Sequence, residues 1–147
     1  MLVSGGKSIY GARIGILMLE AQFPRIPGDM GNAETWPFTV IYKIVDGATS
    51  DKVVRKGAAG LKDDFARAAK EIVAMGADGI GTTCGFLSLF QDDIAEAAGV
   101  PVASSSLMQV PWVQSTLPPD KRVGVITISE ESVTPAHLEA VGVPLDT

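Results

Sequence analysis

Between Arg13 and Leu19 the chain reads RIGILML, a run that stays apolar where a half-wetted strand would alternate. Strands covered on both faces have that pattern, and they belong to parallel sheets. The theme recurs. Further strands are predicted at Phe38 to Val45 (FTVIYKIV), Gly79 to Thr83, Val100 to Ala103 and Arg122 to Ile128 (RVGVITI). Between them the period changes. Leu61, Phe65, Ala68, Ile72 and Val73 recur at helical spacing up to Gly76, and a second helix runs from about Leu89 to Ala98 before Gly99. Leu107 to Leu117 reads as helical, with Pro111 starting or kinking it. Thr134-Pro135 places a cap and a first-turn proline ahead of a short helix to about Val141. Strands alternating with helices predict an α/β fold: an open parallel sheet with helices on both faces.

The chain's one cysteine stands at the end of the third strand, in DGIGTTCGFLS. Ser88 followed by Gln91 reads as a capping box, which would put Cys84 in a strand-to-helix loop. Free backbone N–H groups and the helix dipole favour negative charge there, so a depressed thiol pKa is expected. The residue type alone also suits a small buried hydrophobe. Other polar strand ends share the same sheet edge: Glu20-Ala21-Gln22, Ser104-Ser105-Ser106 and Thr127-Ile128-Ser129. This edge offers hydroxyls, backbone N–H groups and a thiol, without a lysine or arginine clamp. That set suits a small carboxylate held by neutral donors, Gln22 and Thr127 among them, beside a sulfur acid/base. Glu20 to Pro37, rich in proline and glycine, leaves the first strand at this edge and reads as a lid or binding loop. A cysteine hydrolase would need a base near Cys84. The lone His137 lies on another element, where a solvent-facing or satisfied structural role is expected.

Composition sets outer bounds. The 147 residues suffice for one core, and a net charge of −5 argues against a general nucleic-acid partner. No apolar run reaches the roughly 20 residues of a membrane span, and no signal peptide is visible. One cysteine rules out an internal disulfide framework and fits a cytoplasmic location. One Cys and one His leave no Cys/His zinc cluster. Ser4 to Ser8 ends like a phosphate loop, but Met1 stands where its first glycine should be. Gly76, Gly79 and Gly81 lie on the side of the strand opposite to a dinucleotide fingerprint.

The segments GILMLEAQFPRIPGDMGNAETWPF, DGIGTTCGFLSLFQDDIA, VPVASSSLMQVPWVQ and RVGVITI resemble the aspartate/glutamate/hydantoin racemase superfamily, which also holds arylmalonate decarboxylases and maleate isomerases. The resemblance implies one lobe of a two-lobe, pseudo-symmetric fold with the substrate between the lobes. It implies a cofactor-independent, metal-free racemase or isomerase in which two cysteines move a proton at the α-carbon of a small carboxylate or amino-acid-like substrate. Cys84 matches the first-half cysteine, and Thr83, Gly85 and Phe86 match the neighbourhood that binds the substrate carboxylate. The second cysteine has no counterpart. Residues 1–117 are therefore expected to form an N-terminal lobe, and 118–147 an incomplete start of a second, as in a truncated product, a fragment or part of a composite assembly. Such a chain is expected not to racemise alone, and its uncovered apolar face is expected to favour a homo-oligomer. The alternatives are a non-catalytic ligand-binding or assembly module of the same fold, or a decarboxylase.

Overall fold

The computed structural model describes residues 5–11 and 13–145. The sheet has the order β2–β1–β3–β4, and every neighbouring pair is parallel. The strands are β1 (Ile14–Leu19), β2 (Val40–Val45), β3 (Gly79–Thr82) and β4 (Val102–Ala103). The helices are α1 (Lys62–Met75), α2 (Gln91–Ala98), α3 (Val110–Ser115) and α4 (Pro135–Glu139). The fold is α/β, as the alternation of apolar runs and helical periods predicts.

Period-two geometry divides the strands between two faces. Leu17, Leu19 and Ile80 join Phe65 and Ile72 of α1 and Ile94 of α2 in one apolar core. Gly15 lies under this layer, and a Cβ there would stand 2.7 Å from Ile72 Cδ1, so glycine lets α1 settle onto β1. On the opposite face Ile16 pairs in register with Gly81, and Met30 of the long first loop reaches over Gly81. The loop is braced from within: Trp36 Nε1 and the Tyr42 hydroxyl both donate to Met30 O, at 3.1 and 2.9 Å. A second small cluster joins Leu107, Val110 and Val143, with Val123, Leu138 and Val141 against it. It ties the segment around α4 to α3.

Gly76 ends α1 at φ +132°, donating its N–H to Val73 O. A Cβ there would fall on the Ile9 carbonyl oxygen. Gly76→Ala is expected to cost about 1–3 kcal/mol, from the disallowed backbone and this clash. Urea unfolding would measure it. A loss below about 0.5 kcal/mol would mean that residues 5–11 simply move aside.

Two local expectations are corrected. Arg122 to Ile128 forms no strand; it runs past α3 with Val123 N–H bonded to Gln114 Oε1 at 3.0 Å. A strand is a property of a pair, and no described neighbour offers this run a ladder, so Ile126 and Ile128 stand exposed. Ser88 does not cap a helix. It lies buried inside a 3-10 helix, Gly85–Phe90, and its Oγ has no hydrogen-bond partner among the described residues. Gln91 instead reaches β4, donating to Val102 O and accepting from the Ser104 N–H and hydroxyl. The connection after β2 holds a π-helical turn, Asp51–Arg55, with Val53 buried.

Candidate active site

Open parallel sheets bind ligands outside the carboxyl ends of their strands, where the strand order reverses. Here that point lies between β1, whose chain turns away toward β2, and β3, which continues to β4. A cavity of about 320 Å³ lies there. The exit from β1 contributes Ala21, Phe23 and Arg25; the exit from β3 contributes Thr83, Cys84, Gly85 and Phe86. Ser105 and Ser106 follow β4, and Val125 to Ile128 and His137 close the far side.

The strand ends are set by side-chain bonds across the sheet edge. The Thr82 hydroxyl donates to Ser104 O at 2.7 Å, and Ser104 is held in turn by Gln91. These groups are spent on architecture. Ser105 Oγ accepts the Leu107 N–H at 3.1 Å, and a Cβ on Gly85 would stand 3.1 Å from that oxygen. Glycine at 85 therefore lets the Cys84 turn approach β4.

Cys84 is partly buried at the start of the 3-10 helix. Burial pushes its thiol up from the ordinary value, and the Phe86 backbone N–H offsets this only in part. The expected depression of the thiol pKa is thus corrected. A short 3-10 helix aligns few peptide dipoles, and one N–H does not outweigh the loss of water.

Of the predicted site residues, the cavity brings together Thr83, Cys84, Gly85, Phe86 and Thr127. Gln22 is not among them. It is exposed, while its neighbours Ala21 and Phe23 line the cavity on either side of it in sequence. Thr127 reaches the cavity from the unpaired 122–128 segment, not from the end of a strand.

Two lining residues went unassigned. Arg25 is the one Lys or Arg side chain in the wall. It stacks over the Phe23 ring at 4.5 Å and pairs with Asp29 at 2.7 Å. Burial raises the Asp29 carboxyl, but Arg25 and the Gly31 N–H more than offset this and leave it below its usual range. The expectation of an edge without an arginine is corrected accordingly. The second residue is His137. It is 3% exposed and meets the Phe86 ring edge-on, with centroids 5.3 Å apart. Burial holds its imidazole below the usual range. Of the solvent-facing or satisfied structural role expected for it, the solvent-facing one is corrected, because α4 packs on the turn that follows Cys84, and the structural one matches its place in the Thr134 capping box.

Among the described residues no cluster of three or more His, Cys, Asp or Glu could hold a metal ion, and no helix is long and apolar enough to cross a membrane.

No family model matches the chain, and no solved structure matches it significantly. Curated proteins do. Dimethylsulfoniopropionate lyase 7 of Emiliania huxleyi (strain CCMP1516) is 31% identical over 124 residues, covering 83% of this chain and 36% of the relative. A dimethylsulfoniopropionate lyase of Durusdinium sp. clade D is 27% identical over 135 residues, covering 88% of this chain and 44% of the relative. Dimethylsulfoniopropionate lyase 3 of Emiliania huxleyi is 28% identical over 124 residues, covering 83% and 32%. The chain thus spans less than half the length of the curated relatives it matches. These relatives are enzymes, but they are named as lyases. The assignment to the racemase superfamily, and the racemase or isomerase function drawn from it, are overturned by that finding.

Proposed function

We propose that the cavity at the ends of β1 and β3 is a lyase site for a small sulfonium carboxylate of the dimethylsulfoniopropionate kind, with Cys84 as the base. The observation that carries this reading is the placement of the single thiol on the wall of a cavity with room for such a ligand. The names of the relatives supply the substrate class.

The chemistry fits one sulfur. Inversion at carbon needs a proton removed from one face and returned to the other. Elimination needs one removal only. The Cys84 thiolate takes a proton from the carbon beside the carboxylate. The C–H electrons become the new double bond, the bond from the next carbon to sulfur breaks, and its pair leaves on neutral dimethyl sulfide. Acrylate remains, and Cys84 passes its proton to solvent. No redox partner enters. The two ends of the substrate call for different neighbours. Its sulfonium group suits the aromatic face of Phe86. Its carboxylate suits Arg25 and the hydroxyls of Thr83 and Thr127. A cation held near Cys84 also favours thiolate over thiol, acting against the burial that keeps the free thiol protonated.

The test is direct. The 147-residue chain is incubated with dimethylsulfoniopropionate while headspace dimethyl sulfide and dissolved acrylate are measured together, with Cys84→Ala as control. Equimolar release that disappears in Cys84→Ala is the expected result. No release from the folded chain, or release untouched by Cys84→Ala, would overturn the reading.

A further inference from the structure

Three buried side-chain polar atoms have no hydrogen-bond partner among the described residues: Thr83 Oγ1, Ser88 Oγ and His137 Nε2. Ser88 is sealed in the core, whereas Thr83 and His137 both line the cavity. His137 is the more informative, because its other nitrogen is fully accounted for. Thr134 caps α4, and His137 occupies the third helical position, where its ring reaches back in a capping box. The Thr134 backbone N–H donates to His137 Nδ1 at 3.1 Å. A backbone amide can only donate, so Nδ1 must carry its lone pair, and in the neutral ring the proton sits on Nε2. The Thr134 hydroxyl lies 2.9 Å from Nδ1, and in that tautomer it can only share the same lone pair as a second donor. The Phe86 ring fixes the tilt of the imidazole edge-on. A short capped helix thus holds one buried N–H donor, of fixed tautomer, on a residue of the cavity wall, with no acceptor among the described residues.

We propose that His137 Nε2–H is a binding group for the carboxylate of the cavity's ligand, held in that tautomer by the Thr134 capping box. This rests on the reading of the cavity as a carboxylate site. A carboxylate oxygen is the acceptor the donor lacks, and a hydrogen bond to an ionised acceptor is stronger than one between neutral groups. His137 approaches from an element remote in sequence from Cys84, so the carboxylate can be anchored by one segment while the thiol of another reaches the adjacent carbon. A capping histidine with no ligand role would also explain the Thr134 contacts. It would leave the buried Nε2–H without purpose.

The chain has a single histidine, so the ring ¹⁵N spectrum of the protein reports this residue alone. The probe is propionate, which lacks the alkene that a thiol could attack. In the free chain the spectrum should show an unprotonated Nδ1 and a protonated Nε2. Propionate should shift the Nε2–H signal and slow its exchange with water. His137→Leu should weaken propionate binding about 10- to 100-fold, the range for a charge-assisted hydrogen bond. His137→Gln, whose amide can donate from a similar place, should recover part of that loss. An Nδ1–H tautomer would overturn the inference. So would an Nε2 signal that stays fixed while the amides of Thr83 and Cys84 respond to propionate, or an equal loss in the Leu and Gln variants. If either variant fails to fold, the spectrum of the unaltered chain still decides. Failure of the lyase reading looks different: propionate engages Nε2 but dimethyl sulfide is never released. Release of dimethyl sulfide with an indifferent Nε2 sinks the inference and leaves the reading standing. No response of any signal to propionate sinks both.

Discussion

On the proposed lyase reading, dimethyl sulfide release by this chain is expected to rise about tenfold per pH unit through neutrality and to level off only above the ionisation of Cys84. The reason is the burial of the thiol. Water is partly withdrawn from Cys84, the Phe86 N–H compensates only in part, and the free thiol therefore ionises above its ordinary value. Below that point the thiolate fraction falls tenfold per unit, and the rate falls with it. The bound substrate should move this limb. Its sulfonium cation, held in the same cavity, stabilises the thiolate, so the profile of kcat should lie at lower pH than that of kcat/KM. Cys84→Ser should lose about 10²- to 10⁴-fold in kcat/KM, the usual weight of a general base, because a hydroxyl in the same place scarcely ionises. The residual rate of the serine variant should not follow the thiol's limb. A flat profile in the unaltered chain, or a serine variant near full activity, would remove Cys84 from the role of base.

The sheet was legible because its central strands, β1 and β3, are largely buried on both faces. RIGILML has no polar alternation to confuse, and the glycines at 76 and 99 mark helix ends by the positive φ they adopt, +132° and +64°. RVGVITI carries the same local signal and forms no strand, because pairing is decided by a neighbour and local composition does not report one. The place of Cys84 on the strand edge could be read; the direction of its pKa shift could not. That direction depends on whether an α-helix or a 3-10 turn follows, and Ser88 and Gln91 imitate a cap while serving the core and β4. Arg25 left no sequence signal beyond the Asp29 spacing that the ion pair uses. His137 left a better one. A threonine, a proline and a histidine at cap, first and third helical positions specify which imidazole nitrogen faces the helix and which faces away. What that second nitrogen faces is a tertiary fact.

Phe65→Ala is expected to cost about 3–5 kcal/mol, a large share of the roughly 5–15 kcal/mol that holds a domain of this size. Phe65 is fully buried in α1, in the cluster that joins that helix to β1, β3 and α2. Its removal takes away the ring's transfer free energy and leaves a hole that the sheet, fixed by its ladder, cannot close. The effect should reach the site. The Phe65 ring lies 6.0 Å from that of Phe90, and Phe90 ends the 3-10 helix that begins just after Cys84. Without its partner this turn should open more often than the sheet beneath it, so native-state alkylation of Cys84 should accelerate beyond what global unfolding accounts for. Phe65→Leu, which keeps most of the volume, should cost less in stability and leave the thiol's reactivity closer to that of the unaltered chain. Urea unfolding and iodoacetamide kinetics on the same samples would separate the two effects. A stability loss under about 1 kcal/mol would mean that the core collapses around the hole. Alkylation that tracks global unfolding alone would mean that the Cys84 turn is held by the segment after β4, through Ser105 beside Gly85, and not by the tilted Phe65–Phe90 ring contact.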